Sequence, residues 1–178
     1  FLFSFSTNAA SDKLNKLFDD LYDAKSLTQA EKIEDKIWKN WTQHPKSEYL
    51  TSKLENGTYS MYHQQYQMAL KLFTDIIKED PKWAEGWNKR ATLLFIMGNY
   101  EKSLDDIEKV LDLEPRHFGA LSGRAQIYLS YKQYEKAIDD LRKAKSIYPL
   151  IKSGENIRLI EKILSLIHIS EPTRQEAI

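Results

Sequence analysis

Three prolines along the middle of the chain stand at a constant spacing. Pro81, Pro115 and Pro149 follow one another at intervals of 34 residues, the period of solenoids built from helix–turn–helix repeats. A column of tyrosines and a column of small residues keep the same register. Their members are Tyr66, Tyr100 and Tyr134, and Ala69, Ser103 and Ala137. Three columns in one register predict a stack of three repeat units over residues 46–151.

The central repeat, residues 84–115, has the pattern of two amphipathic helices. Trp87, Ala91 and Leu94 recur at the spacing of one helical face. Gly98 follows them, and glycine ends a helix at low cost because it adopts a left-handed backbone freely. A second apolar face comes next, and a proline closes the unit because it cannot continue a helix. One such pair cannot bury its apolar face alone, so the sequence predicts an all-α solenoid of stacked pairs.

These columns resemble those of the tetratricopeptide repeat (TPR) family. The central repeat matches the family pattern at Trp87, Ala91, Gly98, Tyr100 and Pro115. The resemblance covers residues 50–151, and it implies three antiparallel helix pairs stacked into a right-handed superhelix. It also implies that the first helices of the pairs line a concave groove, which holds an extended peptide or a partner helix.

The groove columns of the family predict a surface of apolar and small polar side chains. Phe95 is the natural aromatic anchor in it, and the amides of Asn88 and Gln126 suit a peptide backbone. The family's clamp for acidic C-terminal peptides needs Lys, Arg and Asn at set positions, and only Asn88 and nearby Lys89 match. The predicted groove residues are Leu54, Thr58, Tyr62, Glu85, Asn88, Thr92, Phe95, Ser122, Gln126 and Leu129.

Two local features depart from the usual repeat. A column that is normally apolar holds Asn56, Arg90 and Arg124. Burying unpaired guanidinium groups costs several kcal/mol, so the arginines either reach solvent or pair with acidic residues of the second helix. Gly119 and Gly123 lie four apart and predict a helical face that exposes its backbone to a ligand or neighbour. The acidic candidates are Asp105, Asp106, Asp139 and Asp140.

The first ten residues are apolar and then small, and the chain becomes charged directly after them. This pattern predicts the remnant of a signal peptide over residues 1–10. The segment 114–123 is similar to one in small, often exported TPR proteins of Gram-negative bacteria. We therefore expect a periplasmic or otherwise exported protein. The alternative is a hydrophobic strand or frayed terminus of a cytoplasmic protein.

Residues 11–45 hold two further amphipathic helices, expected at 12–25 and 28–43. Trp38 and Trp41 lie on the apolar face of the second helix, where core packing is their expected use. Because the ends of a solenoid need atypical units, this pair is predicted to be a degenerate repeat that caps the first full repeat.

The chain after Pro149 changes character twice. Residues 152–163 predict a capping helix over the last repeat, with Ser153 as a possible N-cap. Residues 164–178 resemble the translation of a sequencing-library adapter, so we expect them not to belong to the natural protein. A genuine disordered tail is the alternative.

Composition and motifs argue against several classes of function. The chain has no cysteine, which excludes disulfides and cysteine-based metal sites. Its 26 basic residues balance 26 acidic ones, so its charge does not favour nucleic acid as a partner. No apolar run is long enough to insert in a membrane. The four histidines lack the spacing of a zinc site, and no catalytic or phosphate-binding motif is present, so no cofactor is expected.

The prediction that remains is a non-enzymatic scaffold that binds a protein or peptide partner in its concave groove. The alternative is a structural assembly factor of a bacterial envelope complex, acting through its convex face or its termini. The sequence does not predict an oligomeric state.

Overall fold

The computed structural model describes the backbone of residues 5–170 and the side chains of residues 12–166. The described chain is helical and contains no strand, which confirms the all-α prediction. Its helices are α1 (Phe5–Tyr22), α2 (Leu27–Thr42), α3 (Glu48–Tyr62), α4 (Tyr66–Glu79), α5 (Ala84–Ile96), α6 (Tyr100–Leu113), α7 (Phe118–Ser130), α8 (Tyr134–Ile147) and α9 (Ile157–Ser170). A short 3₁₀ helix, Lys152–Asn156, precedes α9.

Helices α3 to α8 form three consecutive pairs, as the repeat register predicts. The second helix of one pair packs on the first helix of the next, and α3, α5 and α7 contact one another along one side. Each turn inside a pair uses a left-handed residue in the same column: Gln64, Gly98 and Lys132 have φ values of 58°, 74° and 57°. Only the central repeat places glycine there, where the left-handed backbone carries no steric cost.

Small residues let the two helices of a pair approach closely. Gly57 of α3 lies against the ring of Phe73 on α4, and a Cβ atom at position 57 would stand 2.5 Å from the Cε1 atom of that ring. In the central pair, Ser103 is fully buried, and its hydroxyl donates a hydrogen bond to the carbonyl oxygen of Ala91 at 2.8 Å. Small residues at these positions therefore set the spacing within the first and central pairs.

The two repeat arginines pair with aspartates, which confirms one of the two alternatives. Arg90 donates from Nε and Nη2 to the carboxylate of Asp106 at 2.7 and 2.8 Å. Arg124 repeats this fork one period later, donating to Asp140 at 2.7 Å through both nitrogens. Both aspartates are buried. Each fork therefore joins the two helices of its own pair.

The N-terminal pair α1–α2, called the hairpin below, does not lie where a cap on the first repeat would. Its apolar residues, Phe18 and Trp41 among them, share one core with Phe118 and Tyr148 of the third repeat. The hairpin packs on α5, α7 and α8. The predicted cap on the first repeat must therefore be corrected. Helix α1 also begins at Phe5 rather than at residue 12, so residues 5–10 continue this helix.

The C-terminal helix α9 covers the third repeat, as expected of a capping helix. Ile160 of α9 is buried with Ala137 and Leu141 of α8. Ser153 is not its N-cap, because the 3₁₀ turn intervenes and the Ser153 hydroxyl instead meets that of Ser122 at 2.9 Å. The helix continues to Ser170, beyond the predicted end at residue 163, and residues 171–178 lie outside the described chain. None of the described helices combines the length and apolarity needed to cross a membrane.

Candidate partner-binding surface

The inner surface, defined here as the side lined by α3, α5 and α7, holds an open cleft between α5 and α7. This central cleft encloses about 110 Å³, and its lining contains no charged side chain. Four of the predicted groove residues come together in it: Asn88, Thr92, Phe95 and Gln126. Ile107 lies in its lining together with Gly123, where the missing side chain leaves space.

The four residues of the central cleft differ in what they can offer a ligand. Gln126 is exposed and Phe95 is half-buried, with its ring centroid 5.4 Å from that of Tyr100. The Thr92 hydroxyl already donates to the carbonyl oxygen of Asn88 at 2.9 Å. The Asn88 amide donates to the carboxylate of Glu85 at 3.1 Å. Gln126 and Thr92 are therefore the exposed side chains of the cleft, Phe95 offers a half-buried ring, and Asn88 is buried.

The other predicted groove residues do not join this cleft. Leu54 is only 2% exposed in the core of the first repeat, and Leu129 packs under α9. Ser122 is held by Ser153 in a second cleft beside α2. Two more lie on α3: Thr58 lines a cleft between α2 and α3, and Tyr62, 78% exposed, stands at the C-terminal end of the helix. Only four of the ten predicted groove residues therefore meet in the central cleft, and these others lie in the core, in other clefts or at a helix end.

Glu85 is not a surface groove residue but the centre of a buried polar cluster. It is 1% exposed, and its carboxylate lies 3.3 Å from Nε2 of His117 and 3.3 Å from Nζ of Lys89. Burial acts to raise the pKa of Glu85, but the hydrogen bond from His117, the charge of Lys89 and the amide of Asn88 outweigh it. The pKa of Glu85 is therefore held below its ordinary value of 4.5.

His117 connects this cluster to the hairpin. Its Nδ1 atom accepts a hydrogen bond from the backbone N–H of Ala120 at 3.0 Å and so caps α7. Because Nδ1 is an acceptor, Nε2 carries the proton that His117 donates to Glu85. The ring is stacked on Trp41 of α2, with centroids 4.0 Å apart and planes 8° apart.

Trp38 of α2 fills the space that Gly119 leaves at the start of α7. A Cβ atom at position 119 would stand 2.6 Å from Cη2 of Trp38. The glycine face predicted to expose its backbone is therefore covered at Gly119, whereas at Gly123 the nearest atom, Cδ1 of Ile107, is 4.0 Å away. The hairpin thus covers the first turns of α5 and α7 and leaves the central cleft open.

The pattern of the sequence did not identify His117. The histidines show no helical spacing typical of a metal site, and the carboxylate partner of His117 lies 32 residues earlier in the chain. The signal that could have found it is its column, because His117 occupies the position that Trp83 holds one period earlier. Among the described residues, no group of three or more histidines and carboxylates is arranged to hold a metal ion.

Comparison with known proteins identifies the repeats. Sequence models of the tetratricopeptide repeat match residues 84–117 and 119–149. Residues 84–149 therefore carry two tetratricopeptide repeats. A TPR repeat-containing protein of Rhizobium etli is 35% identical over 116 residues, which are 65% of this chain and 56% of that protein. This TPR chain thus spans little more than half the length of that relative.

Two further proteins are similar over the TPR region. Hsp70-Hsp90 organizing protein 1 of Glycine max is 31% identical over 96 residues, which are 51% of this chain and 16% of that protein. The solved structure of the first TPR of Spaghetti (RPAP3), bound to the HSP90 peptide SRMEEVD, superposes with a TM-score of 0.63 at 19% identity. The match covers 67% of this chain and 95% of that one, and at this identity it establishes the fold alone.

Proposed function

We propose that this TPR protein is a non-enzymatic interaction scaffold whose central cleft binds an extended peptide of a protein partner. The observation that carries the proposal is the cleft itself, where Phe95 and Gln126 are open on a concave, uncharged surface. The peptide-bound TPR domain of Spaghetti (RPAP3) is a precedent for a peptide ligand on this fold.

The partner peptide is neutral where it enters the cleft. None of the side chains that line the cleft is charged, and Lys89, the nearest match to the family's carboxylate clamp, is occupied by Glu85. An acidic peptide would lose the solvation of its carboxylates there without gaining a cationic partner. An apolar side chain against Phe95, with the peptide backbone held by the Gln126 amide, fits the lining better.

The test begins with a ligand selected from a random peptide library displayed against the full chain. Phe95→Ala should weaken the selected peptide by about 2 kcal/mol, or about thirtyfold in Kd, because the side chain is the anchor. Gln126→Ala should weaken it less. Tyr22→Ala removes an exposed aromatic ring on α1 and serves as the control, with no change expected.

Unchanged binding by both cleft variants, with helicity preserved in circular dichroism, would contradict the proposal. If the selected peptides bind the two cleft variants as tightly as the unmodified chain, their binding site lies on the convex face or at the termini. That result would support the alternative of an assembly factor in an envelope complex.

An exported location is a separate proposal, supported by the apolar and then small residues at positions 1–10. Fractionation of a Gram-negative host that expresses the gene with its native upstream sequence tests it. Recovery in the periplasmic fraction is expected, and recovery only in the cytoplasm would contradict it.

A further inference from the structure

We infer that the surface beneath α2 is a docking site for an amphipathic helix that presents two aromatic side chains three residues apart, with α2 as its intramolecular occupant. This loop-edge surface is formed by Trp83, His117 and Gly119, at the loops before α5 and α7 and at the first turn of α7. The inference rests on the interaction function proposed above, and this surface adjoins the central cleft, whose lining also includes Gly119.

The loop-edge surface belongs to the repeats and not to the hairpin. Trp83 and His117 stand 34 residues apart, so the repeat stack itself places them side by side. Trp83 donates from Nε1 to the carbonyl oxygen of Trp41 at 2.9 Å, and His117 stacks on the Trp41 ring. Helix α2 therefore crosses two successive repeats, whereas a repeat helix would stack on one neighbour.

Two features of this surface recognise the two tryptophans. The missing side chain at Gly119 receives Trp38, and the flat ring of His117 receives Trp41. Trp38 and Trp41 are one helical turn apart and lie edge to face, with centroids separated by 5.2 Å. A helix with aromatic residues at positions i and i+3 reproduces both contacts on one face.

Polar contacts surround this aromatic centre and add charge complementarity. The Tyr148 hydroxyl donates to Glu34 at 3.1 Å, and Lys152 donates to Glu31 at 3.0 Å. An aromatic centre inside a polar rim is the anatomy of a protein–protein interface. The partner helix should therefore carry acidic residues one and two turns before its first aromatic residue, as α2 does at Glu34 and Glu31.

The fit of α2 is imperfect, which makes its displacement feasible. Trp41 Nε1 is the one buried side-chain nitrogen or oxygen without a hydrogen-bond partner in the described part of the chain. A buried unsatisfied donor weakens the packing that contains it. The link from α2 to α3 is short, residues 43–47, so the tether keeps the effective concentration of α2 in the millimolar range. A free helix with a better fit can compete with α2.

The probe for this site is a fluorescent synthetic peptide of residues 27–42, the sequence of α2. The receptor is the full chain carrying Trp38→Ala and Trp41→Ala, which weakens its own occupant. The peptide should bind this double variant at least tenfold more tightly than it binds the unmodified chain. A peptide that carries both alanine substitutions should not bind.

Two glycines of α7 provide a matched pair on the double-variant background. Gly119→Ala should reduce peptide binding at least tenfold, because the new Cβ occupies the place of the Trp38 ring. Gly123→Ala should leave binding unchanged, because its nearest neighbour is 4.0 Å away. Phe95→Ala should also leave it unchanged, so a failed central cleft and a failed loop-edge surface give different results.

A folded double variant that binds no peptide, or binding that is indifferent to Gly119→Ala, overturns the inference. If circular dichroism shows that the double variant does not fold, amide hydrogen exchange on the unmodified chain tests the inference instead. Amides of α2 should then exchange faster than those of α5 and α7, and faster still in excess unlabelled peptide. Exchange of α2 only together with α5 and α7 overturns the inference as well.

Discussion

Arg90 and Arg124 show how a repeated polar residue is kept inside a helical stack. Each guanidinium group donates two hydrogen bonds to one aspartate of the neighbouring helix, Arg90 to Asp106 and Arg124 to Asp140. Removing one partner of such a pair leaves the other charge buried and unpaired, which costs more than the pair itself contributes. The arginine column therefore has a structural role, because it joins the two helices of each pair.

Arg90→Ala should lower the free energy of unfolding by about 3 kcal/mol, because it strands the buried carboxylate of Asp106. Urea denaturation followed by circular dichroism measures the change. Arg142→Ala is the matched control, since its pair with Glu161 is exposed and should contribute less than about 1 kcal/mol. Equal effects of the two substitutions would show that the repeat arginine is not part of the core.

The buried cluster around Glu85 predicts a dependence of stability on pH. The pKa of Glu85 is lower in the folded chain than its ordinary value of 4.5, so the unfolded chain takes up this proton first as the pH falls. The stabilisation is fully present above about pH 4.5 and is lost as the pH falls through the lower, folded value. Acid should therefore weaken the contact between α5 and His117.

Glu85→Gln tests this dependence, because glutamine keeps the shape of the side chain and cannot titrate. The variant should be less stable than the unmodified chain near neutral pH, and its stability should change less between pH 5 and pH 3. Glu101→Gln, on the exposed side of α6, is the control. Parallel curves for Glu85→Gln and the unmodified chain would contradict the assigned role.

Residue patterns predicted the arginine pairs but not the Glu85–His117 cluster. Arg90 and Arg124 recur in one column with aspartates one helix away, so repetition alone indicates their partners. Glu85 lies in a column that faces the groove in the tetratricopeptide repeat pattern. The repeat columns alone therefore do not predict that it is buried. Its partner His117 is held by the rings of Trp38 and Trp41, which come from a part of the chain outside the repeats.

At the scale of helices, one glycine controls the spacing of the first pair. The Gly57 position lies directly against the ring of Phe73, which is fully buried and cannot move without shifting its neighbours. Gly57→Ala should therefore lower the free energy of unfolding by about 1–3 kcal/mol through overpacking. Gly123→Ala should be neutral or slightly stabilising, because its site has room and alanine favours a helix.

Thermal denaturation of the two alanine variants, side by side with the unmodified chain, measures the difference. A neutral Gly57→Ala would mean that α3 and α4 have room to separate, contrary to the observed packing.

The sequence predicted the helices better than it predicted where one pair of them lies. The 34-residue columns determine α3 to α8, because each apolar face must meet the next repeat. The apolar faces of α1 and α2 establish that these helices are buried, but a face of that kind fits any apolar surface. The contacts that α2 makes with Gly119, His117 and Tyr148 place the hairpin at the edge of the repeats and not at the open end of α3–α4.

For the whole molecule, the hairpin adds long-range contacts to an otherwise one-dimensional stack. It contacts the loop before α5 through Trp83, the loop before α7 through His117 and Arg116, and the segment after α8 through Tyr148. In a simple solenoid each repeat contacts only its neighbours. Here one element joins the loops that follow all three repeats.

The hairpin lies across the edge of the second and third repeats and leaves the central cleft open. A zero-length carbodiimide reaction on the dilute, unmodified chain, followed by mass spectrometry of the monomer, tests this placement most directly. Lys53 and Glu79 form an ion pair inside the first repeat and serve as the positive control.

We expect an amide link between Glu31 and Lys152, whose charged groups lie 3.0 Å apart although the two residues are 121 positions apart in the chain. A Lys53–Glu79 link without the Glu31–Lys152 link, or Glu31 joined to lysines of the first repeat, would contradict it.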